Sequence, residues 1–536
     1  MSESPRRIAA AALGMATICL LWIEEPLVDS RHDAVYHWSG RPLHLFGPVV
    51  LDVFVLWLAF ALFLFLARAP GRARVGVWAG IVLFVPSITL RNLVLLRFFK
   101  PPHLLSFALL GAAATAYVAV LLLWRPACAE RFDRVVGLTS AVLGFVAILG
   151  MVLLVQIVWF GWQARSLNDP LPLHQPQTAS TAATRPRIIW IILDELSYQQ
   201  VYERRFQGLQ LPTFDVLAAQ ATVFTHTIPA GVPINEDVST AKILPSLLTG
   251  EQIDEIRSSA TGQLSTHNPD TDAWQHFEQR GTVFQDALDA GYSTALVGWY
   301  NPYCRIMPAV LDRCFWTYGS GVQSGIAPGG TVGSNALEPL KFLAGSGAMY
   351  HLLRPVLRVP EHRVQDAKIH IVDFRQTTDV ADSVLRDPSL GFVMLHFPFP
   401  HPGGIYDRKT GQLTTRPSTY IDNLALADKY LARVRSTLQQ TGEWDSSTIV
   451  LMGDHGWRTG ILWQTSPDWT QEEESASLGG QFDDRPAYIV KLAGQQTGAT
   501  IDTPFRAVET RKLLDALLAQ RIRSAEDLSA WVQQTH

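Results

Sequence analysis

The pattern of apolar and polar positions divides the chain near residue 165. Before that point, apolar stretches run over roughly 8–23, 45–67, 75–97, 104–124 and 136–162, separated by short polar loops. A helix needs about 20 apolar residues to cross a hydrocarbon layer of about 30 Å, and four of the five stretches reach that length. The first is shorter and ends at Glu24 and Glu25. No small-residue cleavage site follows it and further apolar stretches do, so it predicts an anchor rather than a removable signal. A transmembrane domain of five helices over residues 1–165 is expected. Five-span threading puts Arg6, Arg7, Arg68, Arg72, Arg74, Arg125, Arg131 and Arg134 on one side, against Arg31, Arg41, Arg97 and Lys100 on the other. Basic residues gather in cytoplasmic loops, which places the N-terminus in the cytoplasm and the C-terminal part outside. Asp52 and Arg91 fall within spans, where charge is costly. They suggest a polar cavity or, for Arg91, a side chain snorkelling towards a helix end.

Residues 166–186 are rich in Pro, Ser, Thr and Ala, have no apolar period, and read as a flexible or extended linker. From 187 to 536, short β-branched runs alternate with helical stretches, at 187–194, 222–226, 293–298, 391–397, 448–453 and 486–491. Near-continuous apolar strands separated by helices predict an α/β domain with a mainly parallel sheet between helices. In such sheets the chemistry gathers at the carboxyl ends of the strands. Here those ends carry Asp194 with Glu195, His396 with His401, and Asp454 with His455.

Composition narrows the function classes. Charged residues make up 17% of the 536, and the net charge is −4. That balance excludes a nucleic-acid binder built on bulk positive charge. Four cysteines exclude a disulfide-dense scaffold. Oxygen and nitrogen donors at three strand ends suit a borderline divalent ion, zinc foremost and manganese next.

The segments around these residues, WIILDEL, STAKILPSLLTG and VLMGDHG, follow in kind and order the pattern of the alkaline phosphatase and sulfatase superfamily, which the chain resembles over most of 187–495. Within it the chain most resembles the membrane-bound phosphoethanolamine transferases, and next the lipoteichoic acid synthases, which transfer phosphoglycerol. Both place membrane spans before an extracytoplasmic catalytic domain. Thr240, with Pro245 five positions on, matches the nucleophile segment of the transferases. LHFPFPH repeats their histidine pair at His396 and His401, and TYIDNLALADKYL resembles their segment with Tyr420, Asp422 and Asn423. WYNPYC is similar to their Trp-x-Asn stretch leading to a cysteine, and contains Asn301. Sulfatase chemistry is disfavoured. Thr240 stands where the modified cysteine of sulfatases would lie, no C-x-P-x-R occurs, and Trp299 and Tyr300 replace their Lys and His.

The resemblance implies a phosphoalcohol headgroup, most simply phosphoethanolamine, moved from a phospholipid donor through a phospho-Thr240 intermediate to an extracytoplasmic lipid or glycan acceptor such as lipopolysaccharide. Thr240 is the expected nucleophile, activated by the cation and favoured by the amide groups of a helix N-terminus. Asp194, Thr240, Asp454 and His455 are the expected metal ligands, with Glu195 alternative or additional. His396, His401, Asn301 and Arg458 are expected at the substrate. A phosphoglycerol transferase, a phosphodiesterase or phosphatase using water, and a degenerate non-enzymatic domain are the alternatives. One departure stands out. The transferases carry a further histidine downstream of the Asp-His pair, and GWRTGILWQTSPDW has none, although Arg458 could supply positive charge there.

Cys19 and Cys128 lie in a span and in a cytoplasmic loop and should be thiols. Cys304 and Cys314 lie outside, ten positions apart, and are expected to pair in an oxidising compartment. The expected location is a bacterial inner membrane, with the C-terminal domain in the periplasm.

Overall fold

The computed structural model describes residues 4–29, 33–69, 71–95, 103–123, 128–175, 185–231, 239–319, 326–345, 362–466 and 468–535. The chain forms two compact units, one of Met1–Asp169 with Gly321–Pro360, the other of Pro170–Ser320 with Glu361–His536.

In the first unit, helices Pro5–Val28, Leu43–Leu66, Arg72–Leu95, His103–Leu123 and Ala129–Gln163 fall on the five expected stretches. Among the described residues, three helices are long and apolar enough to cross a membrane: Pro5–Val28, Leu43–Leu66 and Ala129–Leu167. Small residues let the first and last of them approach closely, as in membrane helix pairs. A Cβ at Gly14 would collide with the Leu143 carbonyl, and one at Gly150 with the Thr17 hydroxyl. Asp52 is buried, and neither of its carboxylate oxygens has a hydrogen-bond partner. The Arg91 side chain lies outside the described residues.

The domain boundaries differ from the single span of 187–536. Helix Val332–Gly345 packs within the first unit on helix Leu43–Leu66, where the Asn335 amide donates to the His44 carbonyl at 2.9 Å and Ile326 joins the core with Val49 and Val53. Ala336 and Pro339 are buried there, and Leu343 packs against the same core, which ties the segment to the first unit. That unit in turn begins before 187. His174, in the expected linker, is fastened by its backbone N–H to the Leu311 carbonyl (3.0 Å) and by its ring to Asp312 (2.6 Å).

The α/β unit is built on an eight-stranded sheet of β1 (Ile188–Leu193), β2 (Thr222–Phe224), β3 (Thr294–Trp299), β4 (Arg313–Thr317), β5 (Phe392–Phe397), β6 (Thr448–Gly453), β7 (Tyr488–Lys491) and β8 (Ala499–Ile501). Their order is β8-β2-β7-β6-β1-β5-β3-β4. All neighbouring pairs are parallel except the two made by β7. β1, β3, β5 and β6 are buried at every position. Helices cover both faces, as wholly apolar parallel strands require. Ile189, Ile191, Leu193, Val393 and Leu395 share one core with residues of helices Pro212–Gln220, His362–Leu385 and Tyr420–Gln440. On the other face Phe392 meets Phe284 of helix Val283–Asp289 edge-on. The six expected strands are present. β4 and β8, at the sheet edges, were not expected: β8 has three residues, and β4 is mostly half-buried, so neither shows an apolar run.

Cys304 and Cys314 are joined, while neither Cys19 nor Cys128 forms a disulfide. The bridge ties the turn after β3 to β4. In the chain-entropy view a loop of this size contributes roughly 2–3 kcal/mol. Cys314→Ser should therefore unfold the α/β unit at a clearly lower urea concentration, read by tryptophan fluorescence under oxidising conditions. An unchanged midpoint would show that the bridge adds nothing to stability.

Candidate metal and phosphate site

Register brings the site together. Leu193 of β1 stands level with Gly453 of β6 and Phe397 of β5, and Leu395 stands level with Val297 of β3. Four adjacent parallel strands thus end together, and the residues following them, Asp194, Asp454, the 398–401 turn and Asn301, converge at one edge. Helix Thr240–Thr249 contributes its first residue, preceded by Ser239 as the extended N-cap.

Asp454 organises the centre. Its Oδ1 accepts the backbone N–H groups of Glu195 (3.0 Å) and His455 (2.9 Å), and its Oδ2 accepts the Thr240 hydroxyl at 2.9 Å. His455 Nδ1 lies 2.9 Å from the Gly456 carbonyl and so carries the hydrogen, turning the Nε2 lone pair inwards. That Nε2 stands 3.7 Å from Asp194 Oδ1 and 3.3 Å from Asp454 Oδ2, yet has no hydrogen-bond partner, and neither does Asp194 Oδ1. Burial lowers the His455 pKa to about 3, keeping the ring neutral. Burial first, then the charges of Asp454 and Glu195, hold the Asp194 carboxyl well above the usual range.

A neutral imidazole lone pair aimed at two buried carboxylates is unfavourable unless a cation lies between them. Donor atoms around a tetrahedral centre with bonds of about 2.1 Å stand about 3.4 Å apart. The separations of His455 Nε2 from the two carboxylates bracket that value, so Asp194, Asp454 and His455 fit a divalent ion, with the Thr240 hydroxyl beside them on Asp454. The donor set suits zinc or manganese.

The other expected residues surround this centre in different roles. The Asn301 amide reaches the Thr240 carbonyl at 3.5 Å. His396 is buried with Nδ1 2.8 Å from the Tyr303 hydroxyl, and its Nε2 has no partner. His401 places Nδ1 at 2.7 Å from the Pro402 carbonyl, which leaves its Nε2 lone pair 4.0 Å from Glu195 Oε1. Glu195, expected as a possible ligand, has its carboxylate engaged instead: Arg458 Nε donates at 2.6 Å, and the Trp463 indole N–H reaches both oxygens at 3.0 and 2.9 Å. Arg458, expected at the substrate, is thereby held at Glu195. Glu195 also adopts φ 63°, a conformation that costs a non-glycine residue about 1–3 kcal/mol. Its N–H on Asp454 and its carbonyl on the Tyr420 hydroxyl (2.8 Å) hold it there.

Three positioning residues escaped the sequence reading as such. Asn423 accepts the Ile405 N–H at 3.0 Å and donates to the His401 carbonyl at 2.9 Å, fixing the histidine turn. Tyr303 orients His396, and Asp373 accepts the Trp299 indole N–H at 3.0 Å. Tyr303 and Asn423 lie in quoted motifs, so a signal existed. Asp373 sits inside the long helix His362–Leu385, where nothing local distinguishes it.

Burial lowers the His396 pKa from 6.5 to about 4. Between those values the unfolded chain binds the proton and the folded chain does not. Stability contributed by the neutral ring is therefore complete above about pH 6.5 and is lost as pH falls towards 4, by up to about 3 kcal/mol. In metal-free protein, His396→Asn should flatten the stability–pH curve across that window. Parallel curves for variant and wild type would refute the assignment.

No family model and no curated protein matches the chain. Several solved structures are similar to it. A lipoteichoic acid synthase of Listeria monocytogenes is 14% identical, with 68% of this chain and 79% of that one covered and a TM-score of 0.38. A phosphonate monoester hydrolase of Agrobacterium radiobacter is 15% identical, covering 62% and 74% at a TM-score of 0.36. A sulfatase of a Pseudoalteromonas species is 14% identical, covering 62% and 68% at 0.39. These likenesses are remote, and the chemistry below rests on the side chains.

Proposed function

We propose that the chain is a membrane-anchored, metal-dependent transferase. It would move a phosphoalcohol headgroup, phosphoethanolamine in the first instance, from a phospholipid to an extracytoplasmic lipid or glycan acceptor. The observation that carries this reading is the Thr240 hydroxyl, which opens a helix and lies 2.9 Å from Asp454 within a donor set shaped for a divalent ion. When bound, such an ion lowers the pKa of a coordinated hydroxyl and offsets phosphate charge.

Thr240 Oγ1 attacks phosphorus while the bond from phosphorus to the glycerol oxygen breaks. The threonine proton passes to Asp454 Oδ2, which returns it to Thr240 in the second step, and the leaving oxygen takes a proton from water to become the hydroxyl of diacylglycerol. The helix N-terminus favours the phosphorylated threonine. His396 Nε2, buried and without a hydrogen-bond partner, would meet a phosphoryl oxygen as a neutral donor, with its Nδ1 turned to the Tyr303 hydroxyl. His401, with its Nε2 lone pair free, accepts the proton of the incoming acceptor hydroxyl. That second attack breaks the bond from Thr240 to phosphorus and restores the hydroxyl.

Five membrane spans, an N-terminus in the cytoplasm and an α/β unit in a bacterial periplasm belong to the same proposal. The five apolar helices, the bias of arginines between loops and the Cys304–Cys314 bridge support it. A tethered enzyme gains effective concentration over a donor that stays in the bilayer. The test incubates the full chain in nanodiscs with phosphatidylethanolamine and, separately, phosphatidylglycerol, and follows diacylglycerol release and protein mass. Diacylglycerol with a phosphoethanolamine adduct from the first lipid alone is the expected result. An adduct from phosphatidylglycerol alone would reassign the headgroup. Steady hydrolysis of an aryl phosphodiester without an adduct from either lipid would make the chain a phosphodiesterase.

A further inference from the structure

We infer that Arg458 fills the position of a second cation, so that the centre holds one divalent ion and keeps a latent second metal site closed by its own guanidinium. This rests on the metal centre proposed above.

The site contains two sets of metal-capable side chains, and Asp194 belongs to both. Asp194, Asp454 and His455 form the first, and Asp194, Glu195 and His401 the second. The second has the elements of a two-ion centre bridged by a shared carboxylate. His401 turns its Nε2 lone pair towards Glu195 Oε1, 4.0 Å away, as His455 turns its own towards Asp194 and Asp454. The Glu195 side chain is fully buried. What distinguishes the second set is that Glu195 is already satisfied. Arg458 donates from Nε at 2.6 Å and pairs again through its terminal nitrogen, its backbone N–H lies 3.4 Å from Oε2, and the Trp463 indole bridges both oxygens. In the first set, by contrast, Asp194 Oδ1 and His455 Nε2 have no hydrogen-bond partner.

Charge agrees with this division. Three carboxylates, Asp194, Glu195 and Asp454, meet in one buried site. One divalent ion and one guanidinium balance them, whereas two divalent ions beside Arg458 would overcharge the site. A guanidinium is a fixed charge with directed donors and cannot be exchanged or chelated. Arg458 therefore supplies the second positive charge that phosphate needs while keeping the ion count at one. The segment after the Asp-His pair lacks a histidine but carries Arg458 and Trp463, the two residues that hold Glu195.

The test counts tightly bound ions in full-length chain purified in detergent, saturated with zinc, freed of loose metal by gel filtration and read by elemental analysis and native mass. The wild type should retain one ion per chain and Arg458→Ala two. Arg458→Ala combined with His401→Ala should return to one, and Arg458→Lys, which keeps the charge, should stay at one. Arg458→His, which fills the space and offers a ligand, replaces the alanine variant should that one fail to fold, and should also bind two. Two ions on the wild type, or one on both Arg458→Ala and Arg458→His, would overturn the inference while leaving the metal centre intact. No ion on folded wild type would instead remove the centre itself, and the inference with it.

Discussion

Thr240→Ala is expected to lose the proposed headgroup transfer by at least about 10³-fold and to form no covalent adduct, while its fold and its spectrum stay those of the wild type. The loss follows from chemistry rather than stability. Alanine cannot attack phosphorus, and removal of an essential nucleophile leaves only the catalysis that binding and electrostatics provide. Alanine removes Oγ1 and one methyl group at the start of the helix, a modest loss of packing, and the lost hydrogen bond to Asp454 frees an oxygen that already lies within the donor set. Thr240→Ser, which keeps a hydroxyl at the same helix position, should retain a measurable fraction of activity and still form the adduct. Initial rates of diacylglycerol release from the full chain separate the cases. A Thr240→Ala enzyme within tenfold of the wild type would show that another group makes the attack.

The second large effect belongs to Asp454. Asp454→Asn keeps an oxygen that can accept the N–H groups of Glu195 and His455, but presents a neutral amide to Thr240 and to the cation position. Metal retention should fail, and activity should fall by at least about 10²-fold. Stability should move the other way in metal-free protein. Burial and the Asp454 charge both disfavour ionised Asp194, so removing one of three crowded carboxylates relieves repulsion rather than breaking a favourable pair. The metal-free variant is therefore expected to unfold at the same or a higher denaturant concentration than metal-free wild type, and to gain nothing from added zinc. A variant that keeps its ion, or that is unstable without it, would contradict the role given to Asp454.

Much of this centre was legible in the sequence because parallel strands write themselves plainly. Each of β1, β5 and β6 is a continuous apolar run, so its end, and hence Asp194, His396 and Asp454, could be located without coordinates. Thr240 followed from resemblance alone, since nothing in STAKILPSLLTG dictates which hydroxyl meets Asp454. The Glu195–Arg458 pair was not legible. The two residues lie 263 positions apart and meet only because β1 and β6 are neighbours in register. The membership of residues 326–345 was hidden for a similar reason: helix Val332–Gly345 reads like any amphipathic helix, and only its packing on Leu43–Leu66 assigns it to the first unit. Edge strands β4 and β8 were missed because half-exposed strands lose the apolar pattern that marks the central ones.

The central claim is a covalent phosphothreonine at residue 240, and the most direct measurement is to trap and map it. Full chain mixed with phosphatidylethanolamine in nanodiscs and quenched in acid within the first turnover should carry one phosphoethanolamine group. Fragmentation of the peptide spanning the nucleophile helix should place it on Thr240, and prior removal of metal should abolish it. An adduct mapped to His396, His401 or any other residue, or turnover of the lipid with no adduct at the earliest times, would contradict the account.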